Sequence, residues 1–146
     1  MNPMTTELLA KWYLEACVLD VAALKPGNVS IHSAGHGMDA ELFVQSALAS
    51  AEMITEPGQV LGNRIYGAVK ATQDAVRCNT NLGIILLCAP IIQAAIDYPE
   101  ERLETALLKV LSAVHAEEAD SVFAAIRLAN PGGLGRTESH DVAGPA

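Results

Sequence analysis

The longest apolar run of the chain begins directly after three polar residues at positions 79–81. Nearly every position from Leu82 to Ile96 is apolar, so this stretch has no polar face. A helix on a protein surface keeps its apolar residues to one stripe, whereas a helix that is apolar all round is buried. The pattern therefore predicts a buried central helix from Leu82 to Ile96, with the other helices packed around it.

Five further segments have apolar residues at helical spacing, and no segment shows the strict alternation of a β-strand. In the first segment Leu8, Trp12 and Leu19 fall on one face, which we expect to pack inward. In the third, Arg64 and Lys70 are expected to be solvated charges. The sequence thus predicts an all-α bundle of about six helices. The expected capping residues are Thr5 or Thr6 for the first helix, Asp39 for the second and Asp120 for the sixth.

The end of the first helix carries an acidic residue in apolar surroundings. From Leu14 onward a second face turns apolar through Val18 and Val21, so we expect this end to be buried, and Asp20 with it. A carboxylate is costly to bury unless it has a partner. That partner is Lys25, a hydroxyl group or a metal ion, and the sequence leaves these alternatives open.

A long polar loop separates the first two helices. It begins at Pro26-Gly27, because proline and glycine interrupt a helical backbone, and it continues to the expected cap of the second helix. Loops of this length and polarity are often functional. His32 and His36 have the spacing of a metal-binding pair only in a helix, and the glycines of the loop oppose a helix there.

The polar residues before the central helix are candidate ligand contacts. Asn79, Thr80 and Asn81 have short side chains of the kind that accept hydrogen bonds from the free N–H groups at a helix start. The same N–H groups, with the positive end of the helix dipole, also bind anions, and Gly83 would let a ligand approach the backbone. For Asn79 and Thr80, capping and ligand binding are both open interpretations.

Charge and composition limit the partners of the chain. Its 146 residues include 9 Lys and Arg against 17 Asp and Glu, and the net charge of −8 disfavours binding to nucleic acid or to an anionic membrane. A phosphorylated small molecule would need a divalent cation such as Mg²⁺, which carboxylates hold jointly with phosphates.

The cysteines have no metal-ligand spacing, and the sequence has neither the pattern of a signal peptide nor that of a membrane span. We therefore expect a cytoplasmic protein with reduced cysteines.

The last proline-glycine break divides the chain. Residues 1–130 form the predicted all-helical domain, whereas residues 131–146 are rich in glycine and proline and have no apolar period. We expect this tail to be the start of a missing C-terminal half. Within it, His140-Asp141 is either a site element or a solvated pair.

Four stretches follow one another in an order that is more specific than any one of them. They are Asp20 with Lys25-Pro26-Gly27-Asn28-Val29; Gly35-His36 with Asp39, Phe43 and Ser46; Asn79-Thr80-Asn81-Leu82-Gly83; and Pro131-Gly132-Gly133-Leu134-Gly135 with His140-Asp141-Val142. Together they resemble the N-terminal half of the triphosphoribosyl-dephospho-CoA synthase family, which makes the prosthetic-group precursor of citrate lyase and malonate decarboxylase. Members of that family run to about twice the length of this chain.

The resemblance implies an all-helical, ATP-dependent transferase. In the family reaction the 2′-hydroxyl of the dephospho-CoA ribose attacks C1′ of the ATP ribose, adenine leaves, and a triphosphoribosyl group is attached. This chemistry needs a proton carrier, stabilisation of an oxocarbenium-like centre, and Mg²⁺ on the triphosphate. The resemblance implies catalytic roles for Asp20, His36 and Asp39, and contacts of the two aspartates with a metal ion or the ribose. It also implies that Lys25 and Asn28 bind the nucleotide or its phosphates. The residues expected to contact the ligand at the start of the central helix are Asn79, Thr80, Asn81 and Gly83.

Two departures from the citrate-lyase branch leave the acceptor open. Asn81-Leu82 stands where that branch has His-Lys, and His36-Gly37-Met38-Asp39 stands where it has His-Lys-Asp-Met, so two lysines are missing. An acceptor other than dephospho-CoA is therefore an alternative. Another is a non-catalytic binding or assembly module, or an inactive half of the enzyme, since fold alone does not decide function. Whichever of these functions applies, we expect the chain to pair with a second copy or with a chain that supplies the C-terminal half.

Overall fold

The computed structural model describes residues 3–23 and 40–130. Within these ranges every regular element is a helix, which confirms the all-α prediction and the expected number of helices. No described helix is long and apolar enough to cross a membrane. The helices are α1 (Pro3–Ala22), α2 (Ala40–Thr55), α3 (Leu61–Val76), α4 (Leu82–Asp97), α5 (Leu103–Ser112) and α6 (Ala116–Ala129).

Three helices, α2, α3 and α4, pack against one another at the centre of the bundle. α1 lies against α2 and α4, α5 lies against α4, and α6 lies against α3. The predicted central helix is confirmed as α4, which contacts α1, α2, α3 and α5 and fully buries Ile85, Ala89 and Ala94. Leu87 is 65% exposed, so one side of α4 reaches the surface.

The face of α1 that packs inward is not the predicted one. Trp12 is 55% exposed and Leu19 is 68% exposed, so the expectation of an inner face built from Leu8, Trp12 and Leu19 is wrong. Because α1 has apolar residues on nearly every side, helical spacing fits more than one stripe and does not select between them. The stripe that is buried consists of Leu9, Tyr13, Cys17 and Val21.

Two of the predicted helix caps are wrong. α1 begins at Pro3, so Thr5 and Thr6 lie inside its first turn and do not cap it. Proline is tolerated at this helix start because the first N–H groups have no helical acceptor. α6 begins before Asp120, with His115 as its capping residue. The predicted end of α6 is confirmed, because Asn130 adopts the left-handed conformation, with φ 48°, that terminates a helix. Asp39 directly precedes α2 but lies outside the described residues.

Two basic residues of α3 have opposite environments. Lys70 is solvated as expected, and its ammonium group lies 3.1 Å from the Asp74 carboxylate at the surface. Arg64 was expected to be solvated as well, but its side chain is fully buried, so that expectation is wrong. Burial lowers the pKa of the Arg64 guanidinium, and the nearby charges of Asp97 and Glu56 oppose this effect.

Hydrogen bonds explain why the interior accepts Arg64. Its Nε donates to Gln93 Oε1 at 2.6 Å, and its two terminal nitrogens donate to the carbonyl oxygens of Ile54 at 2.9 Å, Glu56 at 2.7 Å and Gln59 at 3.3 Å. These carbonyls belong to the end of α2 and the turn before α3. The guanidinium therefore fixes the α2–α3 connection against α4, using the several donors that arginine holds in fixed geometry.

α3 and α6 approach closely at a glycine. The Gly62 N–H donates to Glu118 Oε1 at 3.1 Å, and the other carboxylate oxygen of Glu118 accepts from the His115 N–H at 2.9 Å. A Cβ atom at Gly62 would lie 2.8 Å from the Cα and carbonyl oxygen of Glu118. One carboxylate thus caps the start of α6 and holds that helix against α3 at a distance only glycine permits.

Candidate functional site

The structure describes only part of the predicted site. Asp20 lies near the end of α1, and the polar segment 79–83 leads into α4. The remaining candidates lie outside the described residues: Lys25, Asn28, His36 and Asp39, together with His32 and the pair His140-Asp141.

Asn79 caps the start of α4. Its Oδ1 accepts a hydrogen bond of 3.3 Å from the N–H of Leu82, the first residue of the helix. The capping interpretation of Asn79 is therefore confirmed, and a ligand contact through its amide nitrogen stays a prediction. Gly83 is exposed, and a Cβ atom built there would meet nothing within 4 Å. Packing among the described residues therefore does not explain a glycine at this position, whereas close approach of a ligand to the backbone would.

Thr80 and Asn81 turn inward. Both side chains are buried, at 8% exposure each. Asn81 Nδ2 donates to Ser50 Oγ at 3.3 Å and to Thr72 Oγ1 at 3.1 Å, and the Thr80 hydroxyl is hydrogen-bonded to Ser46. These two residues thus contact α2 and α3 through their side chains, and their predicted contact with a ligand is untested.

These contacts belong to a larger buried network, which we call the polar cluster. Tyr13 joins it from α1 through a 2.7 Å hydrogen bond between its hydroxyl and Ser50 Oγ. Among the described residues no buried side-chain nitrogen or oxygen lacks a hydrogen-bond partner. On the α2 side, the sequence analysis named Ser46 only as part of the family resemblance and did not identify Ser50, although two serines four residues apart inside an apolar stripe are a visible signal. The polar cluster consists of Tyr13, Ser46, Ser50, Thr72, Thr80 and Asn81.

Asp20 is exposed at the end of α1, so the expectation that it is buried is wrong. Its carboxylate lies near enough to Cys88 to contribute to the raised pKa of that thiol. Cys88 follows the first residue of α4 by six positions, about 9 Å along the helix axis. Asp20 therefore lies beside α4, about two turns beyond the Asn79 cap.

The thiols between α1 and α4 are unreactive at neutral pH. All three cysteines are free, as expected, and Cys17 is buried. Burial raises the pKa of the Cys17 thiol to about 11, with smaller contributions from Cys88 and Asp20. Burial raises the pKa of Cys88 as well. A protonated thiol is a poor nucleophile and a poor metal ligand, so these residues act as small apolar side chains.

The described residues do not by themselves form a metal site. They contain no group of three His, Cys, Asp or Glu side chains that could hold a metal ion. Of the two predicted metal ligands, Asp20 is described and Asp39 is not. Mg²⁺ needs only one or two protein carboxylates when substrate phosphates complete its coordination.

An arginine that the sequence analysis did not single out ends the helix before this segment. Arg77 is the C-cap of α3, is exposed, and has a left-handed φ of 58°. It precedes the Asn79 cap by only two residues. A cationic residue thus precedes the start of α4 closely in sequence.

Comparison with known proteins identifies a single family. The CitG family model, described as ATP:dephospho-CoA triphosphoribosyl transferase, matches residues 6–146. Comparison with curated proteins and with solved structures found no match. The matched range covers nearly the whole chain, including segments 24–39 and 131–146, which lie outside the described residues.

Proposed function

This chain belongs to the ATP:dephospho-CoA triphosphoribosyl transferase family, and we propose that it takes part in transferring a triphosphoribosyl group from ATP to an acceptor hydroxyl, with release of adenine. The observation that carries the proposal is the start of α4, where the Asn79 cap, the exposed Gly83 and the positive end of the helix dipole coincide. The acceptor is the 2′-hydroxyl of dephospho-CoA or of a related compound.

In the proposed complex the triphosphate lies at the start of α4. The N–H groups of the first turn have no helical acceptor there. That of Leu82 donates to Asn79, and the others donate to phosphate oxygens, while Arg77 adds positive charge. The acceptor oxygen forms a bond to C1′ of the ATP ribose as the bond from C1′ to adenine breaks, and the hydroxyl proton passes to a base. The remaining roles are proposed as follows: His36 carries that proton, Asp20 and Asp39 contact the ribose or Mg²⁺, Lys25 and Asn28 bind the nucleotide, and Asn79, Thr80 and Asn81 shape the phosphate end.

Mg²⁺ is proposed to enter the site with ATP. Bound there, it neutralises charge on the triphosphate and holds it in one geometry. The chain itself supplies little positive charge, since its net charge is −8. A protein of this kind acts on soluble nucleotides, and we propose that it does so in the cytoplasm.

We expect ATP to stabilise the chain only when a divalent cation is present. With Mg²⁺ and ATP at about 100 times the dissociation constant, the free energy of unfolding should rise by about 2.7 kcal/mol, because the ligand binds only the native state. Thermal unfolding with ATP, ADP or dephospho-CoA, each in Mg²⁺ and in EDTA, measures this. Equal stabilisation by ATP in Mg²⁺ and in EDTA would contradict the cation requirement, and no stabilisation by any nucleotide would contradict the proposed function.

A charge substitution at Asn79 separates capping from ligand binding. Asn79→Asp keeps an oxygen that caps Leu82 and should leave stability within about 0.5 kcal/mol, but its negative charge should weaken ATP binding about tenfold. Asn79→Ala should lower stability by about 1 kcal/mol. Asn63→Asp is the control, since it makes the same charge change at an exposed position of α3. If both aspartate variants bind ATP like the wild type, the phosphate does not lie at this helix start.

The exposed apolar side of α1 favours a role in assembly as well. A shallow groove of about 730 Å³ lies along this helix, and Leu14, Val18 and Leu19 are among the residues that line it. Leu19 is 68% exposed. Exposed apolar area of this kind marks interaction surfaces. We propose that α1 packs against a second copy or against a partner chain, and that the monomer alone lacks transferase activity.

Light scattering and an adenine-release assay test the assembly proposal. We expect the chain to self-associate and to release no adenine alone, and we expect Leu19→Lys to shift it towards monomer. Leu108→Lys is the matched control, because Leu108 on α5 is 67% exposed. A wild-type monomer at high concentration that releases adenine from ATP would overturn both parts of the proposal.

A further inference from the structure

The polar cluster joins four parts of the fold at the start of α4. Tyr13 comes from α1, Ser46 and Ser50 from α2, Thr72 from α3, and Thr80 and Asn81 from the segment that leads into α4. Ser46 and Ser50 are fully buried, and Thr72 is 3% exposed. An apolar core would avoid the cost of burying these groups, so the cluster calls for an explanation beyond stability.

The geometry of the polar cluster supplies this explanation. The Asn81 amide group bridges two helices, because the same nitrogen donates to the Ser50 hydroxyl of α2 and to the Thr72 hydroxyl of α3. Hydrogen bonds are directional, unlike apolar contacts, so they fix the rotation and position of the backbone that carries Asn81. That backbone continues directly into Leu82 and Gly83, the first residues of α4.

We propose that the polar cluster positions the start of α4 for its ligand and that Thr72 is a positioning residue, which acts on the ligand only through Asn81. The inference rests on the proposed function, because it concerns the same phosphate end of the site. Neither Thr72 nor Tyr13 touches the ligand. Their hydroxyl groups hold the turn that presents the Gly83 N–H and the Asn79 cap.

The chain offers a matched control for Thr72. Thr55 is also buried, at 2% exposure, and both hydroxyls donate to the carbonyl four residues earlier, Thr55 to Ala51 at 2.7 Å and Thr72 to Ala68 at 3.1 Å. They differ in one respect. The Thr72 hydroxyl also accepts from Asn81, whereas the hydrogen bonds of Thr55 stay within α2. Valine at either position removes a buried hydroxyl of similar environment.

The test measures ATP affinity in Mg²⁺ by calorimetry, at a temperature where each variant is folded. Thr72→Val should weaken ATP binding at least about fivefold, since one Asn81 donor loses its partner. Thr55→Val should leave the affinity unchanged, and Thr72→Ser, which keeps the hydroxyl, should restore it. If Thr72→Val does not fold, Tyr13→Phe, which removes the contact from α1, takes its place with the same expectation. Equal affinities for the two valine variants would overturn the inference.

Hydrogen exchange separates this inference from the proposed function. In the free protein Thr72→Val should speed amide exchange at residues 82–85 about tenfold, while Thr55→Val should not. If the wild type binds no nucleotide, the proposed function fails, and unchanged exchange in Thr72→Val would then show that positioning fails too. If exchange rises at 82–85 but ATP binds as tightly as before, the proposed function stands and the positioning role is wrong.

Discussion

Replacing Arg64 with alanine is expected to lower the free energy of unfolding by about 4 kcal/mol, one of the largest effects of any single substitution in this chain. The change leaves Gln93 Oε1 and the carbonyls of Ile54 and Glu56 without this donor, and it opens a cavity beside them. The Gln59 carbonyl loses one of its two donors and keeps Gln93 Nε2. Relief of the buried charge offsets only part of this loss. Denaturant unfolding followed by circular dichroism measures the change.

Lys70→Ala is the matched control on the same helix. Lys70 makes only an exposed ion pair with Asp74, so its loss should change stability by no more than about 0.5 kcal/mol. Methionine at position 64 adds a further comparison, since it fills the space without donating hydrogen bonds and should remain well below the wild type in stability. If Arg64→Ala and Lys70→Ala are equally mild, water replaces the guanidinium and the α2–α3 connection does not depend on it.

Gly62→Ala is expected to destabilise the protein by about 3 kcal/mol, although alanine is the better helix former. The added Cβ would lie 2.8 Å from backbone and Cβ atoms of Glu118, which belong to a rigid helix. α6 must therefore shift away from α3, and the hydrogen bond from the Gly62 N–H to the Glu118 carboxylate is lost. Thermal unfolding and the near-ultraviolet signal of the packed core report both effects.

Gly67→Ala, on the same helix, is the matched control for Gly62→Ala. Its added Cβ would meet Met53 Cε at 2.8 Å, but that methyl group is the end of a flexible side chain that can turn aside. The gain in helix propensity then remains, and we expect stability to be unchanged or raised by up to about 1 kcal/mol. A similar loss of stability in both variants would mean that the close approach of α6 is not what Gly62 provides.

The sequence by itself determined the fold class and the position of the central helix. The absence of strand alternation, the break after Asn130 and the apolar run of α4 depend on neighbouring residues alone. Backbone preferences and apolar periodicity act over a few residues, so they can be read without knowing the partner of a helix. The family resemblance was likewise carried by short ordered segments, and the family match over residues 6–146 confirms it.

The candidate site was predictable only in part. Capping by Asn79 was one of two interpretations that the sequence left open, and it could be predicted because capping involves residues within one turn. The inward direction of Thr80 and Asn81 was not predicted, since their hydrogen-bond partners Ser50 and Thr72 lie on other helices. Lys25, Asn28, His36 and Asp39 stay predictions, as they lie outside the described residues.

The tertiary structure alone decided which side of α1 is buried and which polar side chains are hydrogen-bonded in the interior. α1 is apolar on nearly every side, and only its contacts with α2 and α4 select Tyr13 and Cys17 over Trp12 and Leu19. Arg64 and Lys70 look alike in sequence, and only the carbonyls that converge on Arg64 make its burial stable. Burial of a charge or of one stripe among several depends on partners that are distant along the chain, and local patterns carry no information about them.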